Sequence, residues 1–316
     1  MGSRHGNVSN PRTRQSFFIR ARAANLLTPR FAASRIQTNM PEVLAAVPPG
    51  VLPILEFMAC PWCHSAIASA ESGLRCSKCP AEFPTRDGII DIARRGTGET
   101  WGAGDSLASS QGYQEAYAAL DRAQSYNRGY EVRLLARWST NRERQLIARL
   151  MGSQGRVKTM LELPCGGGRL SPSFAPWTEF LIQADTGWGQ LLHANQRPAL
   201  PTPRLLMSAS GFHVPFRDAS LDAIACIRLN HHLPTTMERH RLLHELLRVA
   251  KRYVVMSFFD HDSVKNRVRK LRSLPPKMTM TRDEVSGIAR EHGARLVAAP
   301  MIFWLSSGHR YALMVK

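Results

Sequence analysis

The second half of the chain alternates short apolar runs with segments of helical periodicity. Seven apolar runs are predicted strands, at 157–163, 180–184, 204–209, 222–228, 252–258, 294–300 and 310–315. Helices are predicted at 235–250, where leucines recur with helical spacing, and at 282–292, which opens on the capping box formed by Thr281 and Glu284. Strands alternating with helices predict an α/β fold, in which a mostly parallel sheet is covered on both faces.

Helical periodicity also precedes the first of these strands. One helix is predicted from Gln111 to Trp138, with its tyrosines packed in the interior, after a linker at 96–110 that is rich in small residues. A second helix is expected after a break at Ser139, because Thr140 and Glu143 match another capping box. Residues 96–154 are therefore predicted to hold a linker and N-terminal helices.

Four cysteines near the start form two pairs, each with two residues between its members. The spacing of Cys60, Cys63, Cys76 and Cys79 is C-x2-C-x12-C-x2-C, which is typical of a zinc site. Four thiolates complete a closed tetrahedral centre, so we expect a structural zinc in a small ribbon at 52–95. Two disulfides, or four unrelated cysteines, are the alternatives.

A glycine-rich loop follows the first strand of the second half. It runs Glu162-Leu163-Pro164-Cys165-Gly166-Gly167-Gly168, and such glycines let a backbone approach a ligand closely. Asp185 ends the second strand, where a carboxylate can bind both hydroxyls of a ribose. The third glycine of a dinucleotide fingerprint is replaced by Ser171, and no Walker A lysine follows the loop. These departures weaken the interpretation as a nicotinamide-dinucleotide site, while the loop and Asp185 still indicate a ligand that contains a ribose.

Four motifs in this order resemble class I S-adenosylmethionine-dependent methyltransferases, specifically the type 11-like domain. After the glycine loop come Ser210–Ile224, then Asn230-His231-His232-Leu233, then the helix motif Glu245–Val249. The likeness spans 155–316 and implies a seven-stranded, mostly parallel Rossmann-like methyltransferase sheet. The cysteine pairs ahead of it resemble the N-terminal zinc ribbon of bacterial rRNA guanine methyltransferases, so the fold is expected to consist of this sheet preceded by a small zinc-ribbon module.

The resemblance also implies roles for individual residues. Glu162 would organise the loop and the methionine end of S-adenosylmethionine, Asp185 would bind the ribose, and Ser210 stands where the family has an adenine-binding Asp. Pro164 replaces the first family glycine. The implied cofactor-binding residues are Glu162, Pro164, Gly166, Gly168, Arg169, Asp185, Ser210, Gly211 and Asn230.

Two histidines are the candidate catalytic residues. His231 and His232 follow the fourth predicted strand, where an acceptor would meet the cofactor, and either could remove a proton from it. The alternative is that one packs in the interior and the other caps the next helix.

Composition and charge narrow the class of protein. Of the 316 residues, 44% are apolar and 21% are charged, which indicates a globular chain, and no apolar run is long enough to cross a membrane. The net charge of +18 predicts an anionic partner. Residues 1–39 hold seven arginines and no acidic residue, which is typical of a basic disordered tail or a mitochondrial targeting peptide; sequence upstream of a start at Met40 is the other alternative. The expected location is therefore cytoplasmic, or the mitochondrial matrix if the tail is a targeting peptide.

A second basic segment runs from Lys265 to Lys277 without an acidic residue. It is either a solvated helix face or a surface that contacts phosphates. Together with the zinc ribbon it favours RNA as the methyl acceptor, with a small molecule, a quinone or a lipid as the alternative. A further alternative is a non-catalytic, zinc-bearing interaction module, because Pro164 and Ser210 depart from the family pattern.

Overall fold

The computed structural model describes residues 51–93, 112–113, 115–274, 279–305 and 307–316. The predictions for the basic tail at 1–39 and for the linker at 96–110 lie outside these residues, as does Lys277 at the end of the basic segment. Within the described part of the chain, none of the helices combines the length and the apolarity that crossing a bilayer requires.

A small antiparallel unit comes first and carries the four cysteines. It begins with a 3₁₀-helix, Leu52–Phe57, and continues with four short strands. The strands are β1 (Ile67–Ala70), β2 (Gly73–Cys76), β3 (Glu82–Arg86) and β4 (Ile89–Asp91). Neighbours in this series pair antiparallel, and Trp62 stacks on Phe83 with ring centroids 5.4 Å apart.

The seven strands predicted for the second half all form. They are β5 (Val157–Glu162), β6 (Thr178–Asp185), β7 (Arg204–Ser208), β8 (Leu221–Cys226), β9 (Ala250–Phe259), β10 (Arg295–Ala298) and β11 (His309–Val315). Their order across the sheet is β7-β6-β5-β8-β9-β11-β10. The first five are parallel, and β11 is antiparallel to both of its neighbours. The Rossmann-like methyltransferase class is confirmed.

The sheet is longer than the seven strands predicted, because the cysteine-bearing unit joins it. Strand β4 pairs parallel with β7 in the register Ile89 to Leu206, and the amide of Ile92 donates to the carbonyl of Ser208 at 3.0 Å. The result is one sheet of eleven strands. Without β4, the polar backbone groups along β7 would lack sheet partners on that side, and β4 satisfies them. The ribbon therefore precedes the seven-stranded sheet along the chain and extends it at the β7 edge.

The ribbon also contacts the loop that follows β7. The amide of Ala59 donates to the carbonyl of Pro215 at 3.1 Å, and the amide of Arg217 donates to the carbonyl of Phe57 at 2.9 Å. Met58 and Phe216, both fully buried, form an isolated bridge between these backbone contacts. The loop from 210 to 217 is consequently held between β7 and the ribbon.

Seven helices cover the sheet and connect its strands. They are α1 (Leu120–Val132), α2 (Leu134–Gly152), α3 (Ser171–Phe174), α4 (Trp188–Asn195), α5 (Thr236–Val249), α6 (Val264–Leu271) and α7 (Arg282–Glu291) among the described residues. Apolar side chains of α5 pack with the ribbon against one face of the sheet, and those of α2 pack against the other. The capping box at Thr281 and Glu284 is confirmed.

The second predicted capping box is wrong. The chain breaks at Arg133, between α1 and α2, and Ser139 and Thr140 lie inside α2. Glu143 is fully buried, and its carboxylate faces two arginines instead of the helix N-terminus. A buried carboxylate needs charged or hydrogen-bonding partners, and this requirement determines its position more strongly than a cap does.

Candidate active site

A cavity of about 290 Å³ lies at the carboxyl ends of β5, β6 and β8. Parallel α/β sheets bind ligands at this edge. Most of the residues predicted from the sequence for cofactor binding and catalysis line it. These are Glu162, Pro164, Gly166, Arg169, Asp185, Ser210, Gly211, His231 and His232.

Asp185 fixes the glycine loop at the base of the cavity. Its carboxylate accepts hydrogen bonds from the amides of Gly166 and Gly187, both at 2.8 Å. Burial raises the pKa of Asp185 to about 6, against the effect of these amides. Gly166 has φ of +51°, and a Cβ there would meet no atom within 4 Å. The backbone at Gly166 therefore faces open space that a ligand can occupy.

Glu162 is fully enclosed at the end of β5. Its carboxylate accepts a hydrogen bond of 2.5 Å from the Ser171 hydroxyl, which in turn accepts one of 2.6 Å from the Gln183 amide. Burial raises the pKa of Glu162 to about 8. A cationic ligand group beside it would favour the ionised form.

Two of the predicted residues lie behind the cavity. A Cβ at Gly168, whose φ is +72°, would lie 3.4 Å from the Cβ of Ala194 in α4, so this glycine faces α4. Asn230 is fully buried, and its amide nitrogen donates to the carbonyl of Arg239 at 3.4 Å. Their assignment to cofactor binding stays a prediction.

Helix α1 contributes a tyrosine wall that the sequence did not point to. Tyr126 and Tyr130, one helical turn apart, line the cavity with ring centroids 5.4 Å apart. The Arg169 guanidinium lies 4.6 Å from the Tyr130 ring centroid, and Asn127 bonds Gln190 at 2.8 Å. The four-residue spacing of these tyrosines indicates that they share one face of a helix. The sequence analysis predicted instead that they pack in the interior.

A buried ion cluster centred on Glu143 forms another wall. The carboxylate accepts hydrogen bonds of 2.9 Å from both Arg169 and Arg228, and a short one from the Tyr311 hydroxyl. Burial opposes ionisation, but the two guanidinium groups outweigh it and lower the pKa of Glu143. Both arginines line the cavity. The cluster therefore fixes two positive charges at the cavity surface.

Three imidazoles lie at the end of the cavity near Arg228. His231 and His232 lie in the 3₁₀-helix Asn230–His232, with ring centroids 4.2 Å apart, and His309 of β11 contacts His231 at 4.7 Å. Burial, followed by the charge of Arg228, lowers the pKa of His232, and the same two causes lower that of His309 to about 4. At neutral pH the rings of His232 and His309 are therefore uncharged.

The cysteine thiols form a separate cluster in the ribbon. All four sulfur atoms lie within 4.8 Å of one another, with Cys60 and Cys79 3.6 Å apart and Cys63 and Cys76 3.4 Å apart. Zinc–sulfur bonds of about 2.3 Å in a tetrahedron place sulfurs about 3.8 Å apart. The thiols are free and form no disulfide, so the arrangement fits a structural zinc ion.

Comparison with known proteins agrees with this architecture. A family described as "Methyltransferase domain" matches residues 161–257. The magnesium protoporphyrin IX methyltransferase of Synechocystis PCC 6803 with bound SAH is 16% identical, with a TM-score of 0.54 over 65% of this chain and 99% of that one. The same enzyme with bound SAM is 15% identical, with a TM-score of 0.51 over 67% of this chain and 99% of that one. No curated protein matches the sequence. The chain therefore has the class I methyltransferase fold, and residues 161–257 are similar to a methyltransferase domain.

Proposed function

We propose that this chain is an S-adenosylmethionine-dependent methyltransferase. The observation that supports this most is a single cavity that joins two kinds of group. The glycine loop, Glu162 and Asp185 line it, and so do Arg228 and the imidazole of His232. The first group, the cofactor end, has the chemistry to hold a nucleoside and an amino acid. The second group, the acceptor end, has the chemistry to hold and deprotonate an acceptor.

The cofactor end would use groups that still have hydrogen-bonding capacity. The Asp185 carboxylate lines the cavity and accepts hydrogen bonds from the Gly166 and Gly187 amides and from the Tyr113 hydroxyl, whose place a ribose hydroxyl could take. The Ser210 hydroxyl accepts from the amide of Phe212 at 3.2 Å, so its proton can be donated to an adenine ring. Glu162 lies where it would balance a cationic methionine end.

Bound S-adenosylmethionine supplies an electrophilic methyl group on a positively charged sulfur. The chain's own residues would align an acceptor, exclude water and remove a proton from the acceptor. Tyr126 and Tyr130 wall the cavity, His232 is uncharged and able to take the proton, and Arg228 favours an acceptor that becomes anionic. These features together favour a hydroxyl or carboxyl group as the methylated group.

The acceptor that we infer is a small amphipathic molecule. The cavity is small and bounded by tyrosines of α1, and apolar Ile227, Leu229 and Leu233 line its acceptor end. RNA is the second candidate, because the basic residues of α6 are on the surface. An RNA substrate would need an extruded base to enter between the tyrosines.

Transfer of a labelled methyl group tests the proposal. Zinc-loaded protein is incubated with methyl-labelled S-adenosylmethionine and either an organic-soluble cell extract or total RNA. We expect label in the organic fraction, and we expect Asp185→Ala to abolish it. Asp218→Ala is the matched control, because Asp218 is an exposed aspartate paired with Arg248 on the surface. Label in RNA alone would overturn the proposed acceptor, and absence of both labelling and cofactor binding would favour the non-catalytic module.

A further inference from the structure

Large apolar side chains are exposed at the start of α2 and in the loop before β11. Leu134 and Leu135 at the start of α2 are 77% and 82% exposed, and Trp304 in the loop before β11 is 70% exposed. Trp138 stacks on Phe303 with ring centroids 4.4 Å apart, which joins the helix to the loop. Single exposed apolar residues are common, but a contiguous set indicates an interaction surface.

This surface borders the cavity. Tyr130, which lines the cavity, lies four residues before Leu134. Glu143, on the same helix as Trp138, holds Arg169 and Arg228 at the cavity wall. A molecule leaving an apolar phase at this surface would therefore reach the acceptor end over a short distance.

Helix α6 extends the surface with positive charge. Gly308, at the end of the same loop, lies beside Ser263, the N-cap of α6, since a Cβ on Gly308 would be 3.3 Å from the Ser263 hydroxyl. None of the residues of α6 is buried, and Leu271 is 85% exposed. The basic residues in and just after the helix are Lys265, Arg267, Arg269, Lys270 and Arg272, and α6 contains no acidic residue.

We propose that these elements dock the protein onto an anionic lipid bilayer, and that the acceptor enters the cavity from it. The docking surface is defined by Leu134, Leu135, Trp138, Leu271, Trp304 and Leu305, together with the basic residues of α6. Tryptophans favour the interface between lipid and water, leucines gain by leaving water, and lysines and arginines attract anionic headgroups. Entry of the acceptor from the bilayer rests on the proposed methyltransferase function, whereas the docking itself does not.

The mixture of apolar and basic side chains favours lipid over RNA. A surface that contacts nucleic-acid phosphates is polar and strongly positive, and gains little from exposed leucines. Here Leu271 lies directly between Lys270 and Arg272, and Leu305 directly follows Trp304. Interleaving of this kind lets the cations contact headgroups while their apolar neighbours enter the interface.

Sedimentation with lipid vesicles tests the docking. Full-length zinc-loaded protein is mixed with phosphatidylcholine vesicles, with or without about one third phosphatidylglycerol. We expect strong binding only with the anionic lipid. Lys270→Glu with Arg272→Glu should weaken it at least about 25-fold, because each basic residue near such a surface contributes about fivefold. Leu135→Gln with Leu271→Gln should also release the protein, even though the positive charge of α6 is unchanged.

The controls separate docking from folding and from cofactor binding. Val297→Glu changes a residue that is 55% exposed on the outermost strand, β10, and should bind vesicles like the unaltered protein. Every variant should bind S-adenosylhomocysteine with unaltered affinity, which shows that it is folded. Equal vesicle binding by all variants would overturn the docking. It would also be overturned if the protein bound no vesicles but bound RNA, and if Leu135→Gln with Leu271→Gln left the RNA binding unchanged. Failure of cofactor binding in the unaltered protein would instead overturn the proposed function.

Discussion

Removal of the Glu143 carboxylate is the most informative single change in the site. Glu143→Ala would leave Arg169 and Arg228 facing each other without their anion, and the Tyr311 hydroxyl without its acceptor. Breaking a buried ion pair by removing one partner costs about 3–5 kcal/mol. The loss should be near the upper end, because one carboxylate serves two guanidinium groups here and is fully buried.

Chemical denaturation followed by circular dichroism measures this loss. The matched control is Glu131→Ala, since Glu131 also pairs with an arginine, Arg197, at 3.1 Å but is 59% exposed. An exposed pair contributes about 1 kcal/mol or less. We therefore expect Glu143→Ala to lower the free energy of unfolding by several kcal/mol and Glu131→Ala to leave it nearly unchanged. Equal effects of the two substitutions would refute the assignment of Glu143 as the buried anchor of both arginines.

Three further predictions concern the base, the buried acid and the metal. His232→Ala should lower the methyl-transfer rate about 100-fold or more without changing the affinity for S-adenosylhomocysteine. His64 is exposed, and His64→Ala should change neither quantity. If His232→Ala weakened the affinity, His232 would have a binding role instead. Burial raises the pKa of Glu162 to about 8, whereas the same group in the unfolded chain has a pKa of about 4.3. Only the folded, ligand-free protein holds this proton between these values, so its stability should fall as pH rises from about 4.3 to 8 and level off above 8. Glu162→Gln should reduce this fall in a thermal melt, and an unchanged slope would contradict the assignment. Elemental analysis should find one zinc ion per chain, and none in Cys60→Ser with Cys76→Ser. If this metal-free variant melted at the same temperature as the unaltered protein, that would count against a structural role for the zinc.

Periodicity predicted the fold because it reports local burial. All seven strands of the methyltransferase sheet and the helices at 235–250 and 282–292 are within a few residues of their predicted bounds. The pairing of β4 with β7 was not predictable in this way, because it joins segments more than a hundred residues apart and β4 has only three residues. Its sequence indicates a short strand but does not specify the neighbour.

The candidate site was predictable where it is contiguous in sequence. The glycine loop, Asp185 and the two histidines after β8 were found, and they line one cavity. Glu143 was misassigned because the same four-residue pattern describes a helix cap and a buried carboxylate. His309 was missed because it comes from β11, far along the chain from His231, and only the fold brings the two rings together.

Calorimetric titration of the zinc-loaded protein with S-adenosylhomocysteine tests the central claim most directly. The account predicts one saturable site of micromolar affinity, no comparable heat from ATP, and loss of binding in Asp185→Ala, because the cavity holds the groups for a ribose and an amino acid. No binding by a folded, zinc-loaded sample would contradict it, and the cavity would then belong to a methyltransferase-like interaction module.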